Sequence, residues 1–238
     1  METKNILTGK GMLFIAIFGI TALLADKINF SAIVGSSSQY FTLFQFFGPI
    51  AGGFLGPIAG AVSVLLAQVA TFLIGGKEIS VISIARLFPM FFAAYYFATY
   101  DKKDWKNAVV PIAAIALFVI HPIGGKAWFF SLYWLIPIVA MMLPNNLFLR
   151  SLGATFTAHA VGSVAWLYSF GMTPDAWVAL IPVVAYERLM FAMGIGISYV
   201  AMSSVLDLVA AKSRSVSKFL SIEPKYALFG RAVSGKKA

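Results

Sequence analysis

The sequence predicts an all-α membrane protein, a polytopic bundle of about eight transmembrane helices, on three observations. Apolar residues fill 60% of the 238 positions and charged residues only 11%, which leaves too little polar surface for a water-soluble fold. The apolar runs recur at lengths near the roughly 20 residues that a helix needs to cross hydrocarbon. Both sides of each run are apolar for many residues in succession, which sets aside the alternating segments of a membrane β-barrel.

The first run, about 11–29, follows Lys4 and Lys10. It has the charge of a signal peptide but no clean small-x-small cleavage site, so it is expected to remain as the first helix. Further runs lie at about 41–54, 57–75, 79–100, 107–121, 127–143, 148–170 and 177–210. The second is short and meets the third at Gly56-Pro57. Glycines recur every fourth residue at Gly48, Gly52, Gly56 and Gly60, and Gly-Pro-Ile-Ala-Gly occurs twice, at 48–52 and 56–60. That spacing lets helix backbones approach closely in lipid, while Pro49 and Pro57 interrupt the helical ladder. A packing face is the first expectation, and a break that opens backbone groups onto a cavity is the second. Ala154, Ala158 and Gly162 make another small-residue stripe in the seventh run.

Charge sets the expected topology. With eight crossings, one side receives Lys4, Lys10, Lys102, Lys103, Lys106, Arg150 and the seven basic residues from Lys212 to Lys237. The other receives Lys27, Lys77 and Lys126, while Arg86 and Arg188 fall within runs. Cytoplasmic loops carry the excess of Lys and Arg, so the expected protein is multi-pass in the cell membrane with both termini cytoplasmic. Merging the second and third runs would separate the 101–106 loop and the tail from the N-terminus. Residues 1–210 then form the bundle, and 211–238 a basic tail, expected to be solvated near anionic headgroups. The tail has no aromatic interleaving or folded basic module, so no nucleic-acid partner is expected.

Several chemistries lack their residues. There is no cysteine, hence no disulfide, thiolate metal site or cysteine nucleophile. The two histidines are far apart, which argues against a metal site. There is no Gly-x-Ser-x-Gly elbow, no His-Glu-x-x-His and no phosphate-cradling glycine-lysine loop, so neither enzyme nor cofactor is expected.

Ionisable groups inside membrane helices are costly and mark cavities, relays or buried pairs. Here they are Arg86, His159, Glu187 and Arg188. These four are expected to form the polar floor of a substrate site between the third, fourth, seventh and eighth runs, opening outward, with Trp166 and Tyr168 on its wall. One reading makes the charges a structural network. The other lets Arg86 or Arg188 hold an anionic or carbonyl-bearing substrate while Glu187 neutralises it or takes an amine. Glu187 and Arg188 point about 100° apart on a helix, so each is expected to find a partner on another element. His159, among Thr155, Thr157 and Ser163, is a helix-to-helix hydrogen bonder or a proton-coupling group. His121 and Lys126 are candidate vestibule residues, and Ser36, Ser37, Ser38 and Gln39 a candidate lid. Trp128, Trp134, Trp166, Tyr168 and Trp177 fit an interfacial belt or a stacking platform for a flat ring.

The stretch Gln39-Tyr40-Phe41-Thr42 running into Phe46-Phe47-Gly48-Pro49-Ile50-Ala51-Gly52 and Gly56-Pro57-Ile58-Ala59-Gly60-Ala61 resembles substrate-binding S-components of energy-coupling factor transporters. The resemblance covers the second and third helices, joined through a Gly-Pro corner after an outer loop that helps to cap the ligand. It implies capture of a small-molecule substrate from the bilayer-embedded chain, with a transmembrane coupling subunit and ATPases as partners. S-components have six helices, so the fifth and sixth runs would be an insertion. The first helix also departs from the family's Ala-x-x-x-Ala contact for the coupling subunit, since Ala16, Gly19, Ala22 and Ala25 are spaced by three.

Overall fold

The computed structural model describes residues 19–21, 24–25, 27–32, 40–76, 78–212 and 220–228. Most of the first expected helix, the 36–39 lid and most of the tail therefore lie outside the described residues. The chain forms a helical bundle with one small hairpin. Strands β1 (Asn29–Ala32) and β2 (Tyr40–Thr42) pair antiparallel, Ser31 opposite Phe41, with a bulge at Phe30.

After the hairpin come the short α1 (Phe44–Phe47) and α2 (Ile50–Leu55). Gly56 then takes φ +84°, in the half of the map that side chains disfavour. Pro57 opens α3 (Pro57–Ile74), where its missing N–H costs nothing. The second and third runs are thus separate helices, and α3 folds back along α2. A Cβ on Gly60 would collide with the backbone of Gly52, and one on Gly52 with the carbonyl of Ala94 on α5 (Pro89–Thr99). Three backbones meet at Gly52, so the glycine stripe is a packing seam, as the first expectation held.

Helix α4 (Val81–Ala85) starts on Ser80, whose Oγ accepts the Ser83 N–H at 3.2 Å. The helix breaks before Pro89, which cannot donate to the preceding turn. The Gln68 amide, its nitrogen toward this break, donates to the carbonyls of Arg86 at 3.1 Å and Leu87 at 3.2 Å. The chain continues through α6 (Val109–Ile120), α7 (Pro122–Lys126), a 3-10 segment Trp128–Leu135 and α8 (Ile136–Met142). Each of these elements buries one face against the bundle and leaves apolar side chains exposed on the other. Tyr96 on α5 and Tyr100 at its C-cap donate to the carbonyls of Pro137 at 2.7 Å and Ala140 at 3.1 Å on α8.

Helix α9 (Leu147–Ser169) is the hub, packed on α5, α6, α8 and α10 (Pro174–Lys212). Its buried residues include Arg150, Ser151, Thr155, Thr157 and Ser163. Among the described residues, three helical stretches, Pro57–Ile74, Val81–Lys102 and Pro174–Ala210, are long and apolar enough to cross a membrane, with shorter apolar ones at Phe44–Leu55, Trp105–Ile120 and Trp128–Met142. Although α9 has 23 residues, its polar content keeps it out of that class. The least apolar long helix is the one that protein encloses.

Part of the basic tail departs from the solvated reading. Leu220 is buried, the Ser221 N–H donates to Phe54 at 2.9 Å, and the Leu228 N–H donates to Ser204 Oγ at 2.9 Å. What draws it in is Arg150, a residue that charge counting treats as a topology marker. It is only 4% exposed, donates from Nε to the Phe97 carbonyl at 2.6 Å and from its fork to Glu223 at 2.5 Å. Its guanidinium lies 4.0 Å from the Phe97 ring centre, and Asp101 is 3.6 Å away. Removing Glu223 would leave a buried cation with half its partners.

Burial is the largest single influence on the Glu223 carboxyl and acts to raise its pKa. The Arg150 hydrogen bond and charge, with hydrogen bonds from Tyr199 and Lys225, outweigh it and hold the group below the usual carboxylate range. A depressed folded pKa contributes stability that is present above the unfolded value of about 4.3 and lost as pH falls through the folded one. Amide exchange at Ser221 and Leu228, corrected for intrinsic rates, should therefore be slow from pH 7 to about 5 and quicken below about 4. Glu223→Gln should lose that protection at pH 7. Protection that fades well above pH 5, or that survives Glu223→Gln, would contradict the clamp.

Candidate functional site

A cavity of about 820 Å³ lies at the hairpin end of the bundle, the end opposite Arg150. That size suits a small organic molecule. Its walls come from α3, the α4–α5 break, α9, α10, and β2 with α1. Arg86, His159, Glu187, Arg188 and Trp166 all line it, so five of the six residues expected from sequence converge. Tyr168 does not. Its ring is half exposed, stands edge-on to His121 at 4.9 Å, and its hydroxyl donates to Leu117 at 2.9 Å.

Arg188 forms the floor. It is 2% exposed, although it is a cation on a largely apolar helix. One nitrogen donates to Thr155 of α9 and another to Glu187, both at 3.4 Å. The guanidinium carbon lies 4.8 Å from the Phe41 ring centre and 4.3 Å from that of Phe191, contacts that stabilise a desolvated cation. The expected need for partners elsewhere holds in part. Glu187 accepts from Ser31 of β1 at 2.8 Å and Arg188 reaches Thr155. The two neighbours also pair with each other, because the long arginine chain closes the angle that their Cβ directions open.

His159 is fixed by two neighbours. Trp134 Nε1 lies 3.1 Å from Nδ1, and Ser163 Oγ 3.2 Å from Nε2. An indole N–H only donates, so Nδ1 must accept and the neutral ring carries its proton on Nε2. Nε2 then donates to Ser163. A second ring proton would set two N–H groups against each other, so this geometry favours the hydrogen-bonding reading over proton coupling.

Arg86 caps the C-terminal end of α4 and reaches the cavity from the helix break, where the carbonyls are already served by Gln68. Lys27 and Glu78 also line the cavity, on segments flanking the hairpin and α4. The hairpin itself is a wall, where the sequence reading places the end of the first run, an outer loop and the start of the second run. It is pinned by the Ser31 bond to Glu187 and by Phe30, whose ring lies 5.0 Å from Phe46 and 5.4 Å from Phe191. A signal was available in the alternation of Asn29, Phe30 and Ser31.

Three expectations are corrected. The Gly-Pro break at 56–57 is not on the cavity, because its glycines serve the seam with α5. His121 and Lys126 do not line it either: His121 caps α7, its Nδ1 accepting the Ile123 N–H at 3.2 Å. The aromatic belt is reduced to Trp128 and Tyr168. Trp134, Trp166 and Trp177 are buried, with Trp134 and Trp177 each edge-on to Phe118 at 5.2 and 5.1 Å. In these cases an aromatic residue near a helix end points inward because a neighbouring helix is there to receive it.

Arg188→Ala should lower the melting stability by about 3 to 5 kcal/mol, because Glu187 is left buried without its cation. The double replacement Arg188→Met with Glu187→Gln should recover most of that loss. A single variant as stable as the parent, or a double variant no better than the single, would show that the two charges are not coupled.

No family model, no curated protein and no solved structure matches this chain.

Proposed function

We propose that this chain is a membrane-embedded capture protein that binds a small molecule in the cavity for uptake, in the manner of an S-component that borrows its motor from ATPases. The observation that carries the reading is the cavity. Glu187 and Arg188 pair at 3.4 Å, yet these two, with Arg86 and His159, still border about 820 Å³ of space instead of closing on one another. Cost without packing benefit marks a site.

The proposed topology has eight crossings, with the hairpin end outside and both termini cytoplasmic. Asp101, Arg150 and Glu223 meet at the other end of the bundle, the side to which the excess of Lys and Arg would be assigned. This favours capture over a channel. At the Arg150 end Phe97, Tyr100 and Tyr199 are buried and fill the interior, so the cavity is a blind pocket among the described residues. The chain carries no nucleotide-binding motif, so energy for uptake must come from a partner. Binding without covalent chemistry needs neither cofactor nor metal, and no nucleic acid enters this account.

Affinity purification from native membranes followed by mass spectrometry tests the reading. A transmembrane coupling subunit with ATPases should co-purify. Recovery of a large assembly without any ATPase would favour a scaffold, and conductance of the purified chain in a planar bilayer would favour a channel; either outcome would remove the uptake reading.

A further inference from the structure

Residues that line the cavity carry buried donors with no acceptors to match them. Arg188 Nε and Trp177 Nε1 are buried and have no hydrogen-bond partner among the described residues, and both residues line the cavity. The two bonds that Arg188 does make are long, at 3.4 Å each. His159 spends its one N–H on Ser163, which turns the Ser163 hydroxyl proton outward as another donor. Buried donors of this kind are rare in finished protein interiors. A ligand with oxygen acceptors would supply what is missing.

Charge and shape narrow the class. Among the described residues, Lys27, Arg86 and Arg188 line the cavity against Glu78 and Glu187, an excess of one positive charge that a monoanion would cancel and a phosphate dianion would overshoot. Phe41 and Phe191 pack on one side of the Arg188 guanidinium, and two of its nitrogens are engaged by Thr155 and Glu187, so Nε on its edge is the nitrogen left for a ligand. Edge-on, in-plane contact is the geometry in which the guanidinium fork takes a carboxylate. Phe130, Trp166 and Trp177 supply flat apolar wall on the same cavity, where a planar ring gains burial and ring contact.

Resting on the capture reading, we infer that the ligand is a small planar ring compound carrying a single carboxylate, its acid group on Arg188 and its ring against the aromatic wall. Melting of the full chain in lipid nanodiscs tests this with matched pairs: benzoate and benzamide, nicotinate and nicotinamide, indole-3-acetate and indole-3-acetamide, together with inorganic phosphate. At least one acid should raise the melting temperature while its amide and phosphate do not. Arg188→Lys, which keeps the charge but loses the fork, should weaken that acid about ten- to a hundred-fold. Trp177→Phe, a milder change that keeps the wall and removes one donor, should weaken it several-fold, and Tyr168→Phe should leave it unchanged. The inference is overturned by equal response to acid and amide, by response to phosphate alone, by no response to any acid at millimolar concentration, or by a parental response in Trp177→Phe and in a folded Arg188→Lys. Loss of the acid response with the ATPase module still co-purifying would reject the ligand class alone, whereas acid binding without the module would reject uptake and keep the ligand class.

Discussion

The structure depends on the enclosure of α9. A helix surrounded by protein cannot send its polar side chains to water, so each must meet a partner on a neighbour, and those partners fix where the neighbours lie. Arg150 holds the Phe97 carbonyl and Glu223, Thr155 takes Arg188, and His159 takes Trp134. Gly153 belongs to the same constraint, because a side chain there would occupy the place of the Tyr96 hydroxyl, which reaches past α9 to α8. One helix thereby sets the position of α5, α8, α10 and the tail.

The two arginines show how the same group serves opposite ends. Arg150 has a strong carboxylate bond, a backbone acceptor and ring faces, and the interior around it is filled. Arg188 has ring faces as well, but its hydrogen bonds are long and it borders open space. A fully partnered buried cation is a fastening. An under-partnered one beside a cavity is what the proposed capture role rests on, more than on the presence of charge in an apolar helix.

Much of the bundle was legible in the sequence because apolar run length and glycine spacing report directly on helix length and close backbone approach. The Gly56-Pro57 reversal was visible for that reason, and so was the convergence of Arg86, His159, Glu187 and Arg188, since charge in an apolar run has few places to go. What failed to show were features set by which neighbour a side chain meets. Trp134 and Trp177 have the composition of belt residues, and only the packing of Phe118 and Phe130 against them shows that they are core. Arg150 sits near a helix start, where a solvated topology marker is the usual reading, and only the return of residues 220–228 makes it interior. Long-range partners of this kind leave no periodic trace.

The central claim is that a ligand-accessible cavity opens at the hairpin end and is closed at the Arg150 end. The chain has no cysteine, so single replacements give a clean readout of thiol accessibility. Ser163→Cys lies on the cavity, whereas Ser151→Cys is fully buried on the same helix, about 18 Å away. With a small membrane-impermeant thiosulfonate, Ser163→Cys should react from the outer side only and Ser151→Cys from neither side. Reaction of Ser163→Cys from the cytoplasmic side, or no reaction in the native protein while the denatured chain labels fully, would contradict the account.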